Sequence, residues 1–439
     1  MTIRMDEGAA ELLYALHAAG HAAYAVGGCV RDSLLGLTPH DWDLCTSALP
    51  QQVMELFGAQ RCIPTGLQHG TVTVKQSGAL YEITTFRTEG TYTDGRHPDE
   101  VHFVPDVRQD LARRDFTINA MAYNEKEGLV DPFGGQADLQ SGIVRAVGVP
   151  HQRFTEDALR ILRLYRFAAR FGFVIDLPTA QAAQELCAHL DCVSVERIEE
   201  ELAKLLAAPA PAAYLDEKIL FVILPELTSE ALAVAKPVVD ACPAGAENLP
   251  IRLAALLYSL GEDGTRRTLK RLRCSNALIE ETAVLVREAR GRDGSFSEDR
   301  PLGWDPVAEG NRAGDGMARI VSEEKATVTP GFTIYARRLL GKYNLCTVQR
   351  LAALGTALQP ERAADFAALS ELAEQLDADG VCCRVSQLAV NGRDLMAAGV
   401  PAGPGIRKVL EALLDGVIRE EYPNERQALL AAAQQLAAS

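Results

Sequence analysis

Residues 24–47, YAVGGCVRDSLLGLTPHDWDLCTS, decide the fold class of this chain. An apolar segment over residues 22–26 predicts a short strand that ends at a pair of glycines. A helix is predicted for residues 30–35, and the alternation of polar and apolar residues over 41–46 predicts a second, half-buried strand. A strand, a turn, a helix and a strand in this order indicate an α/β or α+β unit near the N-terminus.

The rest of the chain changes from mixed to helical character. Residues 71–75 and 81–87 alternate as the first strands do, whereas long patterns rich in Ala, Leu, Glu and Arg follow residue 151. Residues 291–330 are rich in Gly, Asp and Glu and lack apolar periodicity, which predicts a long loop or an inserted excursion. We therefore predict an α+β protein, with a mixed-sheet head followed by helical regions.

The composition excludes several classes of protein. The chain has 439 residues, of which 48% are hydrophobic and 23% charged, as in globular proteins. No apolar run approaches the roughly 20 residues that span a bilayer. Ten cysteines without CxxC spacing argue against zinc ribbons and a disulfide framework. The N-terminus has no secretory signal, so we expect a cytoplasmic protein. Because the net charge is −15, any nucleic acid must bind to local basic patches of the surface.

Asp41 and Asp43 are the candidate metal ligands. Two residues apart on a predicted strand, they leave the same face, and a divalent cation would relieve their repulsion. Carboxylate oxygens and substrate phosphates favour Mg²⁺. A D-x-D pair alone is more often a solvated edge, but here a turn at Gly27 and Gly28 offers backbone N–H groups to a phosphate, and Arg31 adds a forked cationic contact. Together these features predict a nucleotidyltransferase.

A third carboxylate would complete a two-metal site, and Glu82 in the segment YEITTFR is the candidate. Two other interpretations stay open at this point. Glu82 would either pair with Arg87 or simply face water.

An ordered series of motifs resembles those of the class II CCA-adding tRNA nucleotidyltransferases, a family that includes bacterial poly(A) polymerases. The matching segments are GGCVRD (27–32) with DWD (41–43), RRDFTINAMAYN (113–124), DPFGG (131–135), EDALRILRLYRF (156–167) and ERIEEEL (196–202). Residues 385–430 resemble the helical tail of shorter bacterial members. Where larger relatives carry a phosphohydrolase module, this chain reads RLAALLYSLGED (252–263) without histidine, which predicts a helical core without phosphatase chemistry.

The resemblance implies four regions. They are a polymerase-beta-like nucleotidyltransferase head (residues 1–150), a helical neck with a nucleotide-template helix (151–208), a helical body (209–350) and a helical tail for tRNA binding (351–439). The implied reaction is template-independent addition of CCA to the 3′ end of tRNA from CTP and ATP, with release of pyrophosphate. The alternatives are a poly(A) polymerase or A-adding tRNA enzyme and a non-catalytic RNA-binding relative. Whether the protein is a monomer or a homodimer stays open, and no membrane partner is expected.

The resemblance also implies the residues that contact the incoming nucleotide, which are Gly28, Arg31, Arg114, Asp157, Arg160, Arg163 and Arg166. On one helix, the last four would form a stripe at i+3 spacing. A carboxylate accepts from the amino group of cytosine or adenine while a guanidinium donates to the neighbouring ring nitrogen, and uracil and guanine offer the reverse pattern. Asp157 and Arg160 are therefore predicted to read the base, with Arg163 and Arg166 nearer the sugar and phosphates or supporting the helix.

Supporting roles are expected for several neighbours. Arg113 is expected to pair with a carboxylate such as Asp115, Asn119 to satisfy buried backbone, and ERIEEEL to fix the template helix by ion pairs. The segment from Arg87 to Arg113 is predicted to be a loop, and its full length implies complete CCA addition. Two basic runs, RRTLKRLR (266–273) and YARRLLGKYN (335–344), are either solvated faces or a track for the tRNA acceptor stem.

Overall fold

The computed structural model describes residues 3–90, 101–290, 330–403 and 405–438. The chain divides into two compact units, Met1–Ser229 and Glu230–Ser439. The first unit carries the strands of the described residues and the second is helical, so the predicted α+β class is confirmed. The predicted excursion lies outside the described residues, except for Pro330, which begins a helix.

A seven-stranded mixed sheet forms the centre of the first unit, in the order β3-β4-β5-β2-β1-β8-β9. Within it β2 and β5 are parallel, and the other neighbours are antiparallel. Strands β6 and β7 form an antiparallel pair, and β10 and β11 a parallel pair. The strands are β1 (Ala23–Val26), β2 (Leu44–Thr46), β3 (Cys62–Gly66), β4 (Thr71–Gln76), β5 (Ala79–Thr85), β6 (Arg87–Glu89), β7 (Val101–Phe103), β8 (Ala122–Asn124), β9 (Gly128–Val130), β10 (Ile143–Val144) and β11 (Val174–Ile175).

Helices surround this sheet and continue towards the end of the first unit. They are α1 (Glu7–Ala18), α2 (Gly28–Leu34), α3 (Pro50–Phe57), α4 (Val107–Ala112), α5 (Gly135–Ser141), α6 (Pro150–Glu156), α7 (Leu159–Phe171), α8 (Leu177–Glu185), α9 (Val195–Leu206) and α10 (Glu217–Ile223). Helix α7 packs against α9, and α6 against α8.

The predicted second strand is shorter in the structure than in the sequence pattern. Residues 41–43 precede β2, although Val26 N donates to Asp43 O at 2.9 Å and continues the pairing by one residue. The reason is burial. Leu44–Thr46 are buried, whereas Asp41 and Asp43 are exposed, so the regular strand begins where the chain enters the core. The predicted helix over 30–35 begins earlier, at Gly28, and ends at Leu34.

An apolar cluster holds the sheet and the segments around it together. Its members come from β1, β2, β8, α4 and the adjoining loops, and they are Tyr24, Val26, Cys45, Phe86, Val107, Leu111, Ala120, Ala122 and Val147. Burial of such side chains is the main favourable contribution to folding. The cluster therefore fixes the ends of β1 and β2, from which the acidic segment emerges.

The second unit is built from helices α11 (Ser229–Ala241), α12 (Leu249–Leu256), α13 (Gly261–Arg271), α14 (Asn276–Arg290), α15 (Pro330–Lys342), α16 (Leu345–Leu358), α17 (Ala363–Ala378), α18 (Gly392–Ala397), α19 (Gly405–Ile418) and α20 (Arg426–Ala438). Every residue of α12 except the first, Leu249, is buried. This agrees with the helical core predicted for the segment that begins at Arg252. A separate core near the end of the unit includes Leu395, Leu413 and Leu429.

The predicted four-region division stays a prediction. The structure adds one detail, since the boundary between residues 350 and 351 falls inside the continuous helix α16. Within the described ranges, no helix has both the length and the apolar character that crossing a bilayer requires.

Candidate active site

Asp43 and Glu82 lie next to each other on the large sheet. The parallel register pairs Leu44 of β2 with Ile83 of β5, so the residues immediately before them are neighbours as well. Neighbours in register direct their side chains to the same face of a sheet. Both side chains are exposed, and so is that of Asp41 two residues earlier. We call Asp41, Asp43 and Glu82 the acidic group.

The electrostatic surroundings of Asp43 reflect this crowding. Partial loss of water raises the pKa of Asp43, Arg114 lowers it, and the negative charges of Glu82 and Asp41 raise it again, so that the net change is upward. The carboxylate keeps exposed surface, so the loss of water is incomplete. A cation placed among these acids would relieve their repulsion.

The donor set of the acidic group suits a hard divalent metal ion. Across the residues that the structure describes, no group of three or more His, Cys, Asp or Glu side chains is arranged to hold a metal ion by itself. Ligands from elsewhere, such as phosphate oxygens, would therefore have to complete the coordination shell. The predicted role of Glu82 as a third ligand stays a prediction.

Gly27 brings Arg114 close to the acidic group. Its φ of +77° lies in the region that favours glycine, and a Cβ at this position would lie 2.8 Å from Arg114 Nη1. Helix α2 begins at the next residue, Gly28, so the first backbone N–H groups of the helix lie beside the guanidinium. The Nε of Arg114 is buried without a hydrogen-bond partner among the described residues, and an acceptor such as a phosphate oxygen would satisfy it.

A cavity of about 340 Å³ adjoins the acidic group. Its lining consists of five arginines, two aspartates and one leucine, namely Arg113, Arg114, Asp115, Asp157, Leu159, Arg160, Arg163 and Arg197. The volume is in the range of small-molecule sites, and the excess of arginine would attract an anionic ligand despite the net charge of −15. Because Arg114 also faces Gly27 and Asp43, the cavity and the acidic group are parts of one site.

Asp157 lies outside the helix that carries the arginines. It stands between α6 and α7 in extended conformation, with φ −147° and ψ 104°. Its carboxylate accepts from Leu159 N at 3.0 Å and from Arg197 at 2.8 and 3.3 Å. The predicted four-residue stripe on one helix is therefore wrong for Asp157, because a short polar side chain at this position accepts an N–H group at the start of α7 instead of continuing the helix.

Arg160 is held rigidly at the cavity wall. Its Nη1 donates to Arg153 O at 3.2 Å and to Glu156 at 2.7 Å, and its Nη2 donates to Arg113 O at 3.0 Å. Since a guanidinium has five N–H donors, these contacts leave some of them for a ligand. Arg160 and Asp157 thus present a donor and an acceptor on the same wall.

Arg163 and Arg166 both contact helix α9. Arg163 pairs with Asp115 at 2.7 Å and lies 3.5 Å from Glu201 of α9, and the buried Arg166 donates to the same Glu201 carboxylate. Arg166 is absent from the cavity lining, so it supports the helix, one of its two predicted roles. The predicted ion pairs between ERIEEEL and the template helix are confirmed by Glu201, which pairs with Arg166. Arg197 of the same segment pairs with Asp157, which precedes that helix.

Arg31 is buried beside the start of α2. Only 4% of it is exposed, and it forms a salt bridge of 2.7 Å with Asp32. The rings of Phe167 and Phe171 lie 5.1 and 5.0 Å from its Cζ. A Cβ at Gly28 would lie 3.6 Å from the Arg31 guanidinium, and the predicted contact of Arg31 with a nucleotide stays a prediction.

Two supporting residues have defined partners. Arg113 pairs with the carboxylate of Asp110 at 2.8 Å, so the predicted pairing of Arg113 with a carboxylate is confirmed, with Asp110 as the acid. Asn119 donates to the Asp115 carboxylate at 3.0 Å and accepts from Arg31, so it connects side chains and does not satisfy backbone.

The sequence interpretation missed Asp110, which is buried and also accepts from Arg114 at 3.5 Å. Its position three and four residues before two arginines in a helical segment is a signal that would have found it.

The segment from Arg87 to Arg113 is not a continuous loop. Strands β6 and β7 pair at its beginning, and α4 occupies its end. The prediction of complete CCA addition rests on the full length of this segment, of which residues 91–100 lie outside the described residues, and it stays a prediction.

The basic runs of the second unit take part in ion pairs. Arg266 pairs with Glu262 at 3.0 Å, and Lys342 pairs with Glu288 at 2.7 Å. Arg267, Lys270, Arg271 and Arg273 are exposed, as the prediction of a solvated face requires, and the track for the tRNA acceptor stem stays a prediction.

Comparison with known proteins matches three family models. Residues 23–145 match the Poly A polymerase head domain, residues 172–230 the RNA and SrmB binding site of polymerase A, and residues 331–433 the tRNA nucleotidyltransferase domain 2. The CCA-adding enzyme of Lactiplantibacillus plantarum is 34% identical over 99% of this chain and 97% of its own length. The chain belongs to the CCA-adding enzymes.

Solved structures of CCA-adding enzymes agree with this assignment. The Bacillus stearothermophilus enzyme in complex with CTP is 30% identical, with a TM-score of 0.77 over 98% of both chains. The Thermotoga maritima enzyme complexed with tRNA-CCA has the same fold, with 20% identity and a TM-score of 0.66 over 99% of this chain and 97% of its own. The predicted family and enzyme class are confirmed, and this nucleotidyltransferase family indicates dependence on a divalent metal ion.

Proposed function

We propose that this chain adds cytidine, cytidine and adenosine to the 3′ end of tRNA from CTP and ATP, releasing pyrophosphate. The observation that carries the proposal is one site in which Arg114 joins an exposed acidic group to a positive cavity with a base-reading wall. Full-length similarity to CCA-adding enzymes disfavours a poly(A) polymerase or an A-adding enzyme. A non-catalytic RNA-binding relative would have no use for crowded, exposed carboxylates.

The acidic group would hold the metal ion, with Asp41 and Asp43 as ligands and Glu82 as the third acid. We assign Mg²⁺ because carboxylates and phosphate oxygens are its preferred ligands. When bound, it would supply charge neutralisation at the triphosphate and activation of the attacking 3′-hydroxyl.

Arg114 and Gly28 would bind the triphosphate of the incoming nucleotide. The Nε of Arg114 has no hydrogen-bond partner among the described residues, and the first N–H groups of α2 are donors as well; phosphate oxygens accept such donors well. Holding the α-phosphorus near the RNA 3′-hydroxyl converts the reaction into an intramolecular one. The chain thus contributes mainly position and charge complementarity to catalysis.

Asp157 and Arg160 would read the base. Asp157 accepts an amino hydrogen from cytosine N4 or adenine N6, and Arg160 donates to the adjacent ring nitrogen. Uracil and guanine present a carbonyl to the carboxylate and an N–H to the guanidinium, so that polar groups stay unpaired. Arg163 completes the cavity wall near the sugar, Arg31 would add a cationic contact beside Gly28, and Arg166 acts through the helix that it supports.

We also propose a cytoplasmic location, which agrees with ten cysteines that are all free thiols. The partners would be tRNA, CTP and ATP.

Transcribed tRNA that ends before its CCA sequence provides the test. The purified chain is incubated with Mg²⁺ and CTP, ATP, or both, and the 3′ ends of the products are sequenced. We expect two C residues with CTP alone and the complete CCA with both nucleotides. A long A tail would show a poly(A) polymerase, and tRNA that stays unextended would show a binding protein.

A further inference from the structure

Arg197 holds the carboxylate of Asp157 at two points. Arg197 is the third residue of α9, and it shares a face of that helix with Glu201, which pairs with Arg166 of α7. The Nη1 and Nη2 groups of Arg197 donate to Oδ1 and Oδ2 of Asp157, at 3.3 and 2.8 Å. A planar guanidinium that binds both oxygens of a carboxylate fixes the orientation of that group as well as its position. Arg197 therefore determines where the oxygens of Asp157 point.

The contacts of Asp157 leave little of its carboxylate for a ligand. A carboxylate has about four lone-pair sites, which are divided between its two oxygens. Oδ1 accepts from Leu159 N at 3.0 Å and from Arg197, whereas among the described residues Oδ2 accepts from Arg197 alone. One site therefore stays open on Oδ2. Asp157 and Arg197 both line the cavity, so this site is the acceptor that the carboxylate can offer to a base there.

The pair of Arg197 and Asp157 is largely withdrawn from water. Only 23% of the Arg197 side chain and 15% of the Asp157 side chain are exposed. Salt screens such a pair less than it screens a pair on the open surface. Without Arg197, Leu159 N would be the one donor left to this carboxylate among the described residues, and the carboxylate could turn about that contact.

We propose that Arg197 is a positioning residue that sets base selection by directing one oxygen of Asp157 at the exocyclic amino group of cytosine or adenine, an inference that rests on the proposed function. Arg197 has donors only, so it cannot accept the amino hydrogen itself. Without it the carboxylate rotates, and the hydrogen bond to the amino group weakens in the transition state. CTP then reacts more slowly, whereas an analogue without the amino group has no such bond to lose.

The variant Arg197→Gln tests this role with CTP and with 2-pyrimidinone ribonucleoside triphosphate, which is CTP without its 4-amino group. The values of kcat/KM for both nucleotides are measured with tRNA that ends before its CCA sequence. Their ratio does not depend on the fraction of folded enzyme, because both values scale with that fraction. We expect the CTP-to-analogue ratio to fall about tenfold, as for the loss of one hydrogen bond to a charged group, with the loss on CTP. An unchanged or higher ratio would overturn the proposal.

A double-mutant cycle shows whether Arg197 acts through Asp157. Asp157→Ala removes the acceptor, so the ratio should fall, and Arg197→Gln should then lower it no further. A further fall in the double variant would show that Arg197 contacts the base itself and would overturn the positioning role. Arg197→Lys keeps the charge and loses the planar fork, so its ratio should lie between those of the wild type and Arg197→Gln.

Arg145→Gln is the matched control. Arg145 donates to Asp176 at 2.6 Å, and Asp176 also accepts an N–H group at the start of a helix, α8, but neither residue lines the cavity. The CTP-to-analogue ratio of this variant should equal that of the wild type. The same fall in Arg145→Gln as in Arg197→Gln would overturn the proposal.

The outcomes separate this inference from the function on which it rests. A wild type that adds no CMP overturns both. A wild type that prefers CTP over the analogue, together with an Arg197→Gln variant that keeps the same preference, overturns the role of Arg197 alone.

Discussion

Asp43 stands beside Glu82 across the parallel strands β2 and β5, one residue before the registered pair Leu44 and Ile83. This neighbourhood brings together two acids that are 39 positions apart in the sequence. It explains why like charge contributes to the raised pKa of Asp43.

The first prediction concerns the pH dependence of metal binding. Protonation of Asp43 competes with the metal, so affinity falls as the pH drops through the raised pKa of this carboxylate. Glu82→Gln removes a negative neighbour and lowers that pKa, so the midpoint of the loss should move to lower pH. Free Mn²⁺, followed by electron paramagnetic resonance from pH 4 to 8, reports the midpoint. The exposed Glu125→Gln is the control, and equal midpoints in both variants would contradict the proximity of the two acids.

The second prediction separates backbone strain from displacement of Arg114. Gly27 and Gly20 have φ values of +77° and +87°, but a Cβ would meet Arg114 only at Gly27. Alanine at either position should cost about 1–3 kcal/mol of stability. Gly27→Ala alone should raise KM for the nucleotides by about tenfold, because Arg114 moves away from the triphosphate. Steady-state kinetics measure KM, and thermal unfolding measures the loss of stability. Equal KM values in the two variants would refute the role given to Arg114.

The third prediction concerns stability against acid. Burial alone would raise the pKa of Asp115, but the charge of Arg163 and hydrogen bonds from Asn119 and Arg163 lower it well below its usual range. The stabilisation by this carboxylate is complete above the unfolded pKa of about 3.9 and is lost as the pH falls towards the folded value. Asp115→Asn should therefore unfold at lower temperature than the wild type near pH 7.

The difference in unfolding temperature between the wild type and Asp115→Asn should shrink below about pH 4, because the unfolded chain begins to bind a proton at Asp115 there whereas the folded carboxylate stays ionised. Thermal unfolding between pH 7 and pH 3 measures it. A difference that is constant over this range would show that the charge of Asp115 contributes nothing to the variant's loss.

The fourth prediction concerns base reading by Asp157. Asp157→Asn replaces an acceptor pair by one acceptor and one donor, so incorporation of UMP and GMP should rise relative to CMP and AMP. Asp176→Asn is a matched control, because Asp176 likewise accepts an N–H at the start of a helix and pairs with an arginine. Competition assays with all four nucleotides measure the product ratios. An unchanged ratio in Asp157→Asn, or the same change in the control, would refute the assignment.

The sequence predicts the elements that have strong local patterns. The apolar run at β1 and the alternation at β4 and β5 predict strands within a few residues of their observed bounds. β1 is buried throughout, and in β5 buried residues alternate with exposed or half-buried ones from Leu80 onward. The acidic pair and the spacing of Arg160, Arg163 and Arg166 are equally visible, since they are properties of single short segments.

The sequence does not predict which charged side chains pair with residues distant in the chain. Arg31 finds a partner 88 residues away in Asn119, and Asp157 finds one 40 residues away in Arg197. Such pairings depend on tertiary packing, so a periodic pattern carries no signal for them. The same holds for the parallel register that sets Asp43 beside Glu82, because strands distant in the sequence form it.

The most direct test of the proposed chemistry is the rate of a single AMP addition by Asp43→Asn. With tRNA that ends in CC, ATP and Mg²⁺ in excess, we expect a rate about a thousandfold below that of the wild type, or about 4 kcal/mol of lost transition-state stabilisation. The affinity for tRNA and the unfolding temperature should stay close to wild type, and the exposed Asp379→Asn should keep full activity. AMP addition by Asp43→Asn at the wild-type rate would contradict the account.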